Sequence, residues 1–207
     1  AVLLKKLCDT QALILSEGLV FKYDLSSGKT KKILQYKARE DFVYVTNSNP
    51  FLFVYQKQLQ SFDSELTHLH PISSLPPADN FFSATTTNNQ TIFIGSTNGI
   101  KIYVHRKAKN DSTFSMRINN VLADKKGYVW IGTWTNGLYR CKYDEANERW
   151  SEIIHLPKFP DEHIRSLFED KNGSILAGTR YNGVVKILEK DAHYFDYSLW
   201  NQQTGLS

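Results

Sequence analysis

The residues best suited to bind a ligand lie in two short loops that share one frame. The loops are GTWTNG at 132–137 and GTRYNG at 178–183, so Gly, Thr, Asn and Gly recur at the same spacing. The two positions between them differ: Trp134 and Thr135 in the first loop are replaced by Arg180 and Tyr181 in the second. Aromatic rings stack on sugars, and arginine donates charged hydrogen bonds to carboxylates or sulfates. The positions that vary inside the fixed frame are therefore the better candidates for binding.

A third segment, LPKFPDEHIR at 156–165, contributes further residues of the same chemical types. If the loops belong to repeated β-sheets and each joins the second and third strands of its sheet, they emerge on the same face as this segment, which connects one sheet to the next. The predicted ligand-binding residues are therefore Trp134, Lys158, Phe159, His163, Arg180 and Tyr181. The alternative interpretation is that Trp134 and Tyr181 lean over a neighbouring blade and complete its packing.

Other candidate sites have simpler structural explanations. Asp124 and Asp170 resemble the carboxylate pair of a glycosidase, but each begins the same kind of turn, where aspartate caps the backbone. His68 and His70 lie two residues apart on one strand, but no third metal ligand lies nearby in sequence. We therefore expect no catalytic residue, no metal site and no cofactor.

These residues must be positioned by a repeated unit. The segment 118–140 aligns with 164–186 without a gap, and 81–103 aligns with a shorter loop. Two weaker copies occupy 9–24 and 47–63. The unit of about 40 residues falls in the range of propeller blades.

Each unit also has the internal pattern of a four-stranded antiparallel sheet. In the fourth unit, Ile118 to Ala123 forms a strand, DKKG provides a turn, and GLYRCKY alternates apolar and charged residues with a period of two. The predicted fold is all-β, a β-propeller of about five blades that forms an incomplete arc of a larger propeller, with a closed five-bladed ring as the alternative. The predicted blades are 1–38, 39–75, 76–115, 116–160 and 161–200, with 201–207 leading into a next blade. The third blade has few residues for its outer strand, so we expect a short edge there.

Composition narrows the function classes. The 207 residues carry a formal net charge of +4, which is too small and too evenly spread to predict nucleic-acid binding. No apolar run is long enough to span a bilayer. Cys8 and Cys141 are far apart and outside any metal-binding pair, so we expect two isolated, packed thiols.

The segment 118–140, with its Asp, Gly, Trp-Ile-Gly-Thr and Gly-Leu landmarks, resembles the two-component regulator propeller repeat, and 164–184 resembles it with Leu176 in the Trp position. The resemblance implies a segment of the periplasmic sensor region of a hybrid two-component histidine kinase, anchored in the inner membrane by parts outside this chain. It implies a non-catalytic chain that recognises a glycan fragment and relays a signal across the membrane. An oligosaccharide ligand and a homodimer are the expected partners, and we expect no contact with nucleic acid. The alternatives are a propeller scaffold for protein–protein interaction and a propeller glycosidase or lyase.

Overall fold

The computed structural model describes residues 2–8, 10–16, 18–35, 52–55, 58–62, 69–76, 79–87, 91–191 and 193–204. The regular elements in these ranges are all β-strands, as the sequence predicts. No helix of the length and hydropathy needed to cross a bilayer occurs within them. The chain divides into two compact units, Ala1–Ala78 and Asp79–Ser207.

The first unit contains two antiparallel sheets whose strands pair in chain order. The first sheet consists of β1 (Val2–Cys8), β2 (Gln11–Ser16), β3 (Leu19–Asp24) and β4 (Thr30–Gln35). The described strands of the second sheet are β5 (Leu52–Tyr55), β6 (Gln58–Phe62) and β7 (Leu69–Ser74). His70 is exposed, and the other half of the proposed metal pair, His68, lies outside the described residues.

The second unit contains three sheets, each a four-stranded antiparallel meander. The third sheet is β8 (Phe81–Thr86), β9 (Ile92–Ser96), β10 (Gly99–Val104) and β11 (Lys107–Lys109). The fourth is β12 (Ile118–Ala123), β13 (Val129–Thr133), β14 (Leu138–Asp144) and β15 (Arg149–His155). The fifth is β16 (Ile164–Glu169), β17 (Ile175–Thr179), β18 (Val184–Glu189) and β19 (Phe195–Trp200). The three-residue β11 confirms the short edge predicted for the third blade.

The sheets of the second unit pack face to face through two hydrophobic cores. The first core joins the third and fourth sheets and includes Phe93 and Ile131. The second joins the fourth and fifth sheets and includes Trp130 and Ile187. Trp150 on β15 is partly buried and packs against the first core. Burying both faces of a sheet in this way is how stacked repeats gain stability.

A repeated glycine allows neighbouring sheets to approach closely. A Cβ atom added at Gly95 would lie 2.9 Å from Cγ2 of Ile118, and one added at Gly132 would lie 2.6 Å from Cγ2 of Ile164. In both cases the isoleucine begins the first strand of the next sheet. The glycine of the Ile-Gly pair is therefore required by packing between sheets.

The turn aspartates have the structural role that their position predicts. The Asp124 carboxylate accepts hydrogen bonds from the Tyr128 backbone N–H (2.8 Å) and from Nε1 of Trp130 (2.8 Å). Asp170 accepts hydrogen bonds from the backbone N–H groups of Asn172 (2.8 Å) and Ser174 (2.9 Å). Each aspartate therefore closes the turn that it begins.

Cys141 is a fully buried free thiol in the first core of the second unit, as predicted for a packed thiol. Burial raises the pKa of this thiol far above its ordinary value, so the sulfur stays protonated and unreactive at neutral pH. The side chain of Cys8 lies outside the described residues.

Candidate functional site

The same backbone hydrogen bond positions the variable loop of each sheet in the second unit. The Trp134 N–H donates to the carbonyl oxygen of Arg117 (3.0 Å), and the Arg180 N–H donates to that of His163 (3.0 Å). Arg117 and His163 are the residues just before β12 and β16. Each loop therefore lies beside the start of the first strand of its own sheet, and the two loops present their variable residues at equivalent places.

A threonine closes each loop from within. Oγ1 of Thr133 donates to the Gly137 carbonyl oxygen (2.8 Å) and accepts from the Asn136 N–H (2.8 Å). Thr179 makes the corresponding bonds in the second loop, at 2.9 and 3.1 Å. Each threonine therefore ends its strand with a closed loop, and these bonds hold the variable positions of the loop in place.

Three guanidinium groups surround the indole ring of Trp134. The Cζ atoms of Arg117, Arg165 and Arg180 lie 4.4, 4.6 and 5.2 Å from the ring centroid, within cation–π range. His163 approaches the same ring edge-on, at 5.5 Å between centroids. A ring has only two faces, so three guanidinium groups leave little of Trp134 open to a sugar. The indole ring instead packs against the cationic side chains and supports them.

Arg117 is the most firmly held of the three arginines. Its Nε donates to Oδ1 of Asn119 (3.0 Å), and its guanidinium also lies 4.3 Å from the centroid of the Phe82 ring on β8. Asn119, which is buried, donates from Nδ2 to the Ile164 carbonyl oxygen (2.9 Å) on β16. Contacts from three successive sheets therefore fix the position of Arg117.

The three guanidinium groups of the cluster form no ion pair with a carboxylate among the described residues, although Asp161 lies nearby, bonded to the backbone of the second loop. Within those ranges no Asp or Glu oxygen lies within 4 Å of the guanidinium nitrogens of Arg117, Arg165 or Arg180. Since all three guanidiniums surround one ring, each pair lies within about 10 Å, the Debye length at 0.1 M salt. The site is therefore a concentrated source of positive potential.

A buried carboxylate holds the second loop against the connection between the sheets. Asp161 is 6% exposed and accepts hydrogen bonds from the N–H groups of His163 (2.8 Å) and Tyr181 (3.0 Å) and from Nδ2 of Asn182 (3.1 Å). Burial alone raises the pKa of Asp161, but these hydrogen bonds together outweigh it and bring the pKa below its ordinary value of 3.8. The carboxylate is therefore ionised at neutral pH.

Tyr181 is the open aromatic ring of the site. Its side chain is 67% exposed, and its ring lies 5.3 Å from that of His163 and 5.1 Å from the Arg180 guanidinium. An open pocket of about 440 Å³ adjoins it. The pocket is lined by Tyr181, Asn182, Gly183, Asn201, Gln202 and Gln203. Carboxamides both donate and accept hydrogen bonds, so this lining suits a neutral, hydroxyl-rich ligand.

The structure brings together four of the six residues that the sequence predicts for the site: Trp134, His163, Arg180 and Tyr181. Phe159 instead packs edge-on against Tyr197, at 5.3 Å, on the second core. Lys158 is exposed in the preceding turn, with a φ of +53°.

Sequence reasoning missed several residues of the site: Arg117, Arg165, Asp161, Asn201, Gln202 and Gln203. One signal was available for Arg117, because it aligns with His163 when the repeat is extended by one residue. The carboxamides follow β19, and the sequence indicates only a lead into another blade there.

A second cavity, of about 290 Å³, lies between the fourth and fifth sheets. Of its acidic groups, Asp124 caps a turn, and Glu189 forms ion pairs with Lys126 (2.8 Å) and with the fully buried Arg140. Arg140 also lies over the rings of Tyr128 and Phe195. These charged groups stabilise the packing of the two sheets.

Residues 113–135 match the family model of the two component regulator propeller. An extracellular domain from B. thetaiotaomicron, assigned to the hybrid two component system BT4673, is 18% identical with a TM-score of 0.66, covering 97% of this chain and 27% of that one. Virginiamycin B lyase from Staphylococcus aureus is 11% identical with a TM-score of 0.72, covering 96% of this chain and 70% of the lyase. At these identities the likeness shows a shared fold, the β-propeller.

One curated relative is the rat (Rattus norvegicus) serum paraoxonase/arylesterase 1, which is 24% identical over 160 residues. The match covers 69% of this chain and 45% of the paraoxonase. The chain thus spans less than half of this enzyme and about a quarter of the B. thetaiotaomicron domain. The fold is shared by an extracellular domain of a two component system and by a lyase, so fold alone does not assign an activity.

Proposed function

Because residues 113–135 are a two-component regulator propeller repeat, we propose that this chain is a ligand-sensing segment of the ectodomain of a sensor histidine kinase. In this proposal it recognises a glycan fragment and relays a signal across the membrane. In this proposal the chain lies in the periplasm, as part of an inner-membrane sensor. The chain itself is non-catalytic, needs no cofactor, and acts by binding.

The observation that carries the proposal is the exposed Tyr181 ring beside a pocket lined by carboxamides. A sugar presents one apolar face and a rim of hydroxyl groups. Tyr181 offers an open aromatic surface for the apolar face, and Asn182, Asn201, Gln202 and Gln203 offer both donors and acceptors for the hydroxyls. The pocket volume of about 440 Å³ lies within the range of small-ligand sites.

The hydrogen bonds around the pocket provide a route for the signal. Asp161 and His163 lie in the connection between the fourth and fifth sheets, and both bond to the loop that carries Tyr181. The same connection accepts a hydrogen bond from Gly137 N–H at the Glu162 carbonyl (2.9 Å). A ligand that shifts the Tyr181 loop would therefore also shift the first loop, through bonded backbone.

Isothermal titration calorimetry against a panel of oligosaccharides, neutral and acidic, tests the proposal. We expect one class to bind the chain, with binding about tenfold weaker in Tyr181→Ala, equal to about 1.4 kcal/mol. Tyr194→Ala is the matched control, because Tyr194 is also a tyrosine with a largely exposed side chain (56%) and lies in another turn. Absence of binding across the panel, or equal weakening in both variants, would reject this site.

The enzyme alternative is tested with the same mixtures. The carboxylates that resemble an acid and base pair, Asp124 and Asp170, are both occupied with backbone N–H groups of their own turns. We therefore expect every oligosaccharide to be recovered unchanged after prolonged incubation, as measured by mass spectrometry. A shortened or unsaturated product would establish a catalytic chain.

A scaffold for protein association is the second candidate function. Phe168 and Trp200 are 53% and 40% exposed, and the strand register places them on one face of the fifth sheet. The two rings lie on the outer strands of the sheet, so a partner that covers this face would bury both of them. Sedimentation velocity would show a concentration-dependent dimer that Phe168→Ser abolishes, whereas a monomer at all concentrations would count against this function.

A further inference from the structure

We propose that the ligand of this site is an acidic oligosaccharide, with its carboxylate or sulfate bound by Arg117, Arg165 and Arg180 while a neighbouring sugar occupies the Tyr181 pocket. This inference rests on the proposed function, because it assumes that the pocket binds a sugar. It adds the charge of the ligand and divides the site into a charged half and a neutral half.

The first argument is the charge of the cluster. Three like charges held around one indole ring repel one another, and the ring quadrupole attracts them without removing their charge. No carboxylate pairs with them among the described residues. An anion bound between the guanidiniums would turn this repulsion into attraction.

The second argument is the residue type. A guanidinium group is planar and presents paired N–H donors that match the oxygens of a carboxylate or a sulfate, whereas an ammonium group acts as a point charge. All three cations of the cluster are arginines, although Lys and Arg together number 25 in the chain. This composition favours an oxyanion over a halide or a merely diffuse negative surface.

The third argument is that the charged half is already ordered. Asn119 and the Phe82 ring fix Arg117, and the Trp134 ring provides a common support for all three guanidiniums. Side chains that are ordered before binding lose less entropy when the ligand arrives. Arg165 and Arg180 are exposed, so the ligand can reach the cluster from solvent.

The fourth argument joins the two halves into one site. Tyr181 lines the neutral pocket and also lies 5.1 Å from the Arg180 guanidinium. In the part of the chain that the structure describes, no charged residue lines the pocket. One ligand that carries a neutral sugar next to an acidic one therefore matches both halves, and a simple inorganic anion matches only one.

Calorimetry with two matched pairs of tetrasaccharides tests the inference. One pair is an aldouronic acid, in which one glucuronic acid is attached to three neutral xylose units, and its methyl ester; the two differ in the carboxylate. The other is a sulfated galactan fragment and its desulfated form. In one pair or both, we expect the charged member to bind at least tenfold tighter at 50 mM NaCl, with the preference shrinking at 500 mM because salt screens exposed charges. The pair that shows the preference identifies the acid group.

Variants then assign the preference to the cluster. Arg165→Gln and Arg180→Gln should each lower the preference for the charged member over the neutral member about tenfold, since both arginines are exposed and removing them should leave the fold intact. Arg149→Gln is the control, because Arg149 is an exposed arginine on the outer strand β15. Circular dichroism melting checks that all three variants are folded.

Each other outcome has a distinct meaning. Equal binding of charged and neutral members would overturn this inference and leave the proposed glycan function standing. No binding by any member would overturn both. Equal weakening in Arg149→Gln, or equally tight binding of a single-stranded oligodeoxynucleotide, would show nonspecific attraction of polyanions and would also overturn the inference.

Discussion

The loops 132–137 and 178–183 have the same internal hydrogen bonds and different surroundings. In the first, Thr133 is fully buried and Trp134 is partly buried among guanidinium groups. In the second, Tyr181 is largely exposed beside a pocket. The frame is determined by the hairpin, which is local, while exposure is determined by the neighbouring sheet. Identical frames can therefore carry a structural residue in one loop and an exposed candidate binding residue in the other.

The two loops are also held by different partners. Asp161 anchors the second loop through the Tyr181 N–H and the Asn182 side chain. The first loop contacts His155, whose Nε2 lies 2.9 Å from the Asn136 carbonyl oxygen and whose ring stacks on Tyr139 at 4.5 Å. The second loop thus depends on the buried carboxylate of Asp161, whereas the first loop does not. A substitution at Asp161 therefore tests the second loop separately.

The largest difference between the loops is expected for their first glycine. A methyl group at Gly132 meets the Ile164 side chain of the next sheet at 2.6 Å, and neither sheet can withdraw without opening the core between them. We expect Gly132→Ala to lower the free energy of unfolding by about 3 kcal/mol. In Gly178→Ala the nearest atom is the hydroxyl of the exposed Ser166, which can rotate away, so we expect a loss below about 1 kcal/mol.

Urea unfolding followed by tryptophan fluorescence measures both values, because all four tryptophans lie in the unit Asp79–Ser207. Equal losses in the two variants would show that contact between sheets does not distinguish the glycines.

The sequence alone predicts the parts of this molecule that depend on local geometry. The strands follow from alternation with a period of two, and the roles of Asp124 and Asp170 follow from their places in turns. Each of these features requires only residues that are close in the chain. Because the sequence repeats, the same strand pattern and turn hydrogen bonds recur in successive sheets.

The charged half of the candidate site could not be predicted in this way. Arg117 precedes β12 and meets Trp134 because β12 pairs with β13 in the same sheet. Arg165 lies on β16 and meets the same ring because β16 contacts β12 and β13 of the neighbouring sheet. Nothing in the local sequence of either arginine differs from that of an ordinary solvated residue. Phe159 shows the opposite error: its type suits a site, but the Tyr197 ring lies nearby and provides packing.

The next largest effect is expected for the anchor of the second loop. Asp161→Asn replaces an acceptor of several hydrogen bonds with a group that presents an N–H to the same donors. We expect a loss of about 2 kcal/mol at pH 7, as is typical of buried bonds to a charged group. Urea unfolding measures it, and Asp191→Asn, in an exposed turn, is the control.

The difference in unfolding free energy between the wild type and Asp161→Asn should depend on pH. The pKa of Asp161 is lowered in the folded state, so its contribution is fully present above about pH 4 and is lost as the pH falls through the folded pKa. The difference in unfolding free energy between the wild type and Asp161→Asn should therefore shrink steadily below pH 4. A difference that stays constant from pH 7 to pH 3 would mean that the carboxylate charge is not what anchors the loop.

A smaller effect separates the two threonines. Thr133→Val keeps the shape of a fully buried side chain but removes the hydroxyl that donates to the Gly137 carbonyl oxygen and accepts from the Asn136 N–H. We expect a loss of about 1.5 kcal/mol. Thr179→Val removes the same bonds in a more exposed loop, where water can replace them, so we expect about half that loss. Urea unfolding of both variants measures the ratio of the two losses. A larger loss for Thr179→Val would mean that burial does not determine the cost of removing these hydrogen bonds.

The smallest effect on stability is expected for Tyr181, the residue with the largest expected effect on sugar binding. Because its side chain is 67% exposed, Tyr181→Ala should change the free energy of unfolding by less than about 0.5 kcal/mol. Trp134→Ala removes the common support of three guanidinium groups and should cost more, about 1 kcal/mol. Urea unfolding and calorimetry on the same two variants give both quantities. If Tyr181→Ala destabilises the unit as much as Trp134→Ala does, the exposed ring is part of the packing, and the distinction between a structural loop and a binding loop is wrong.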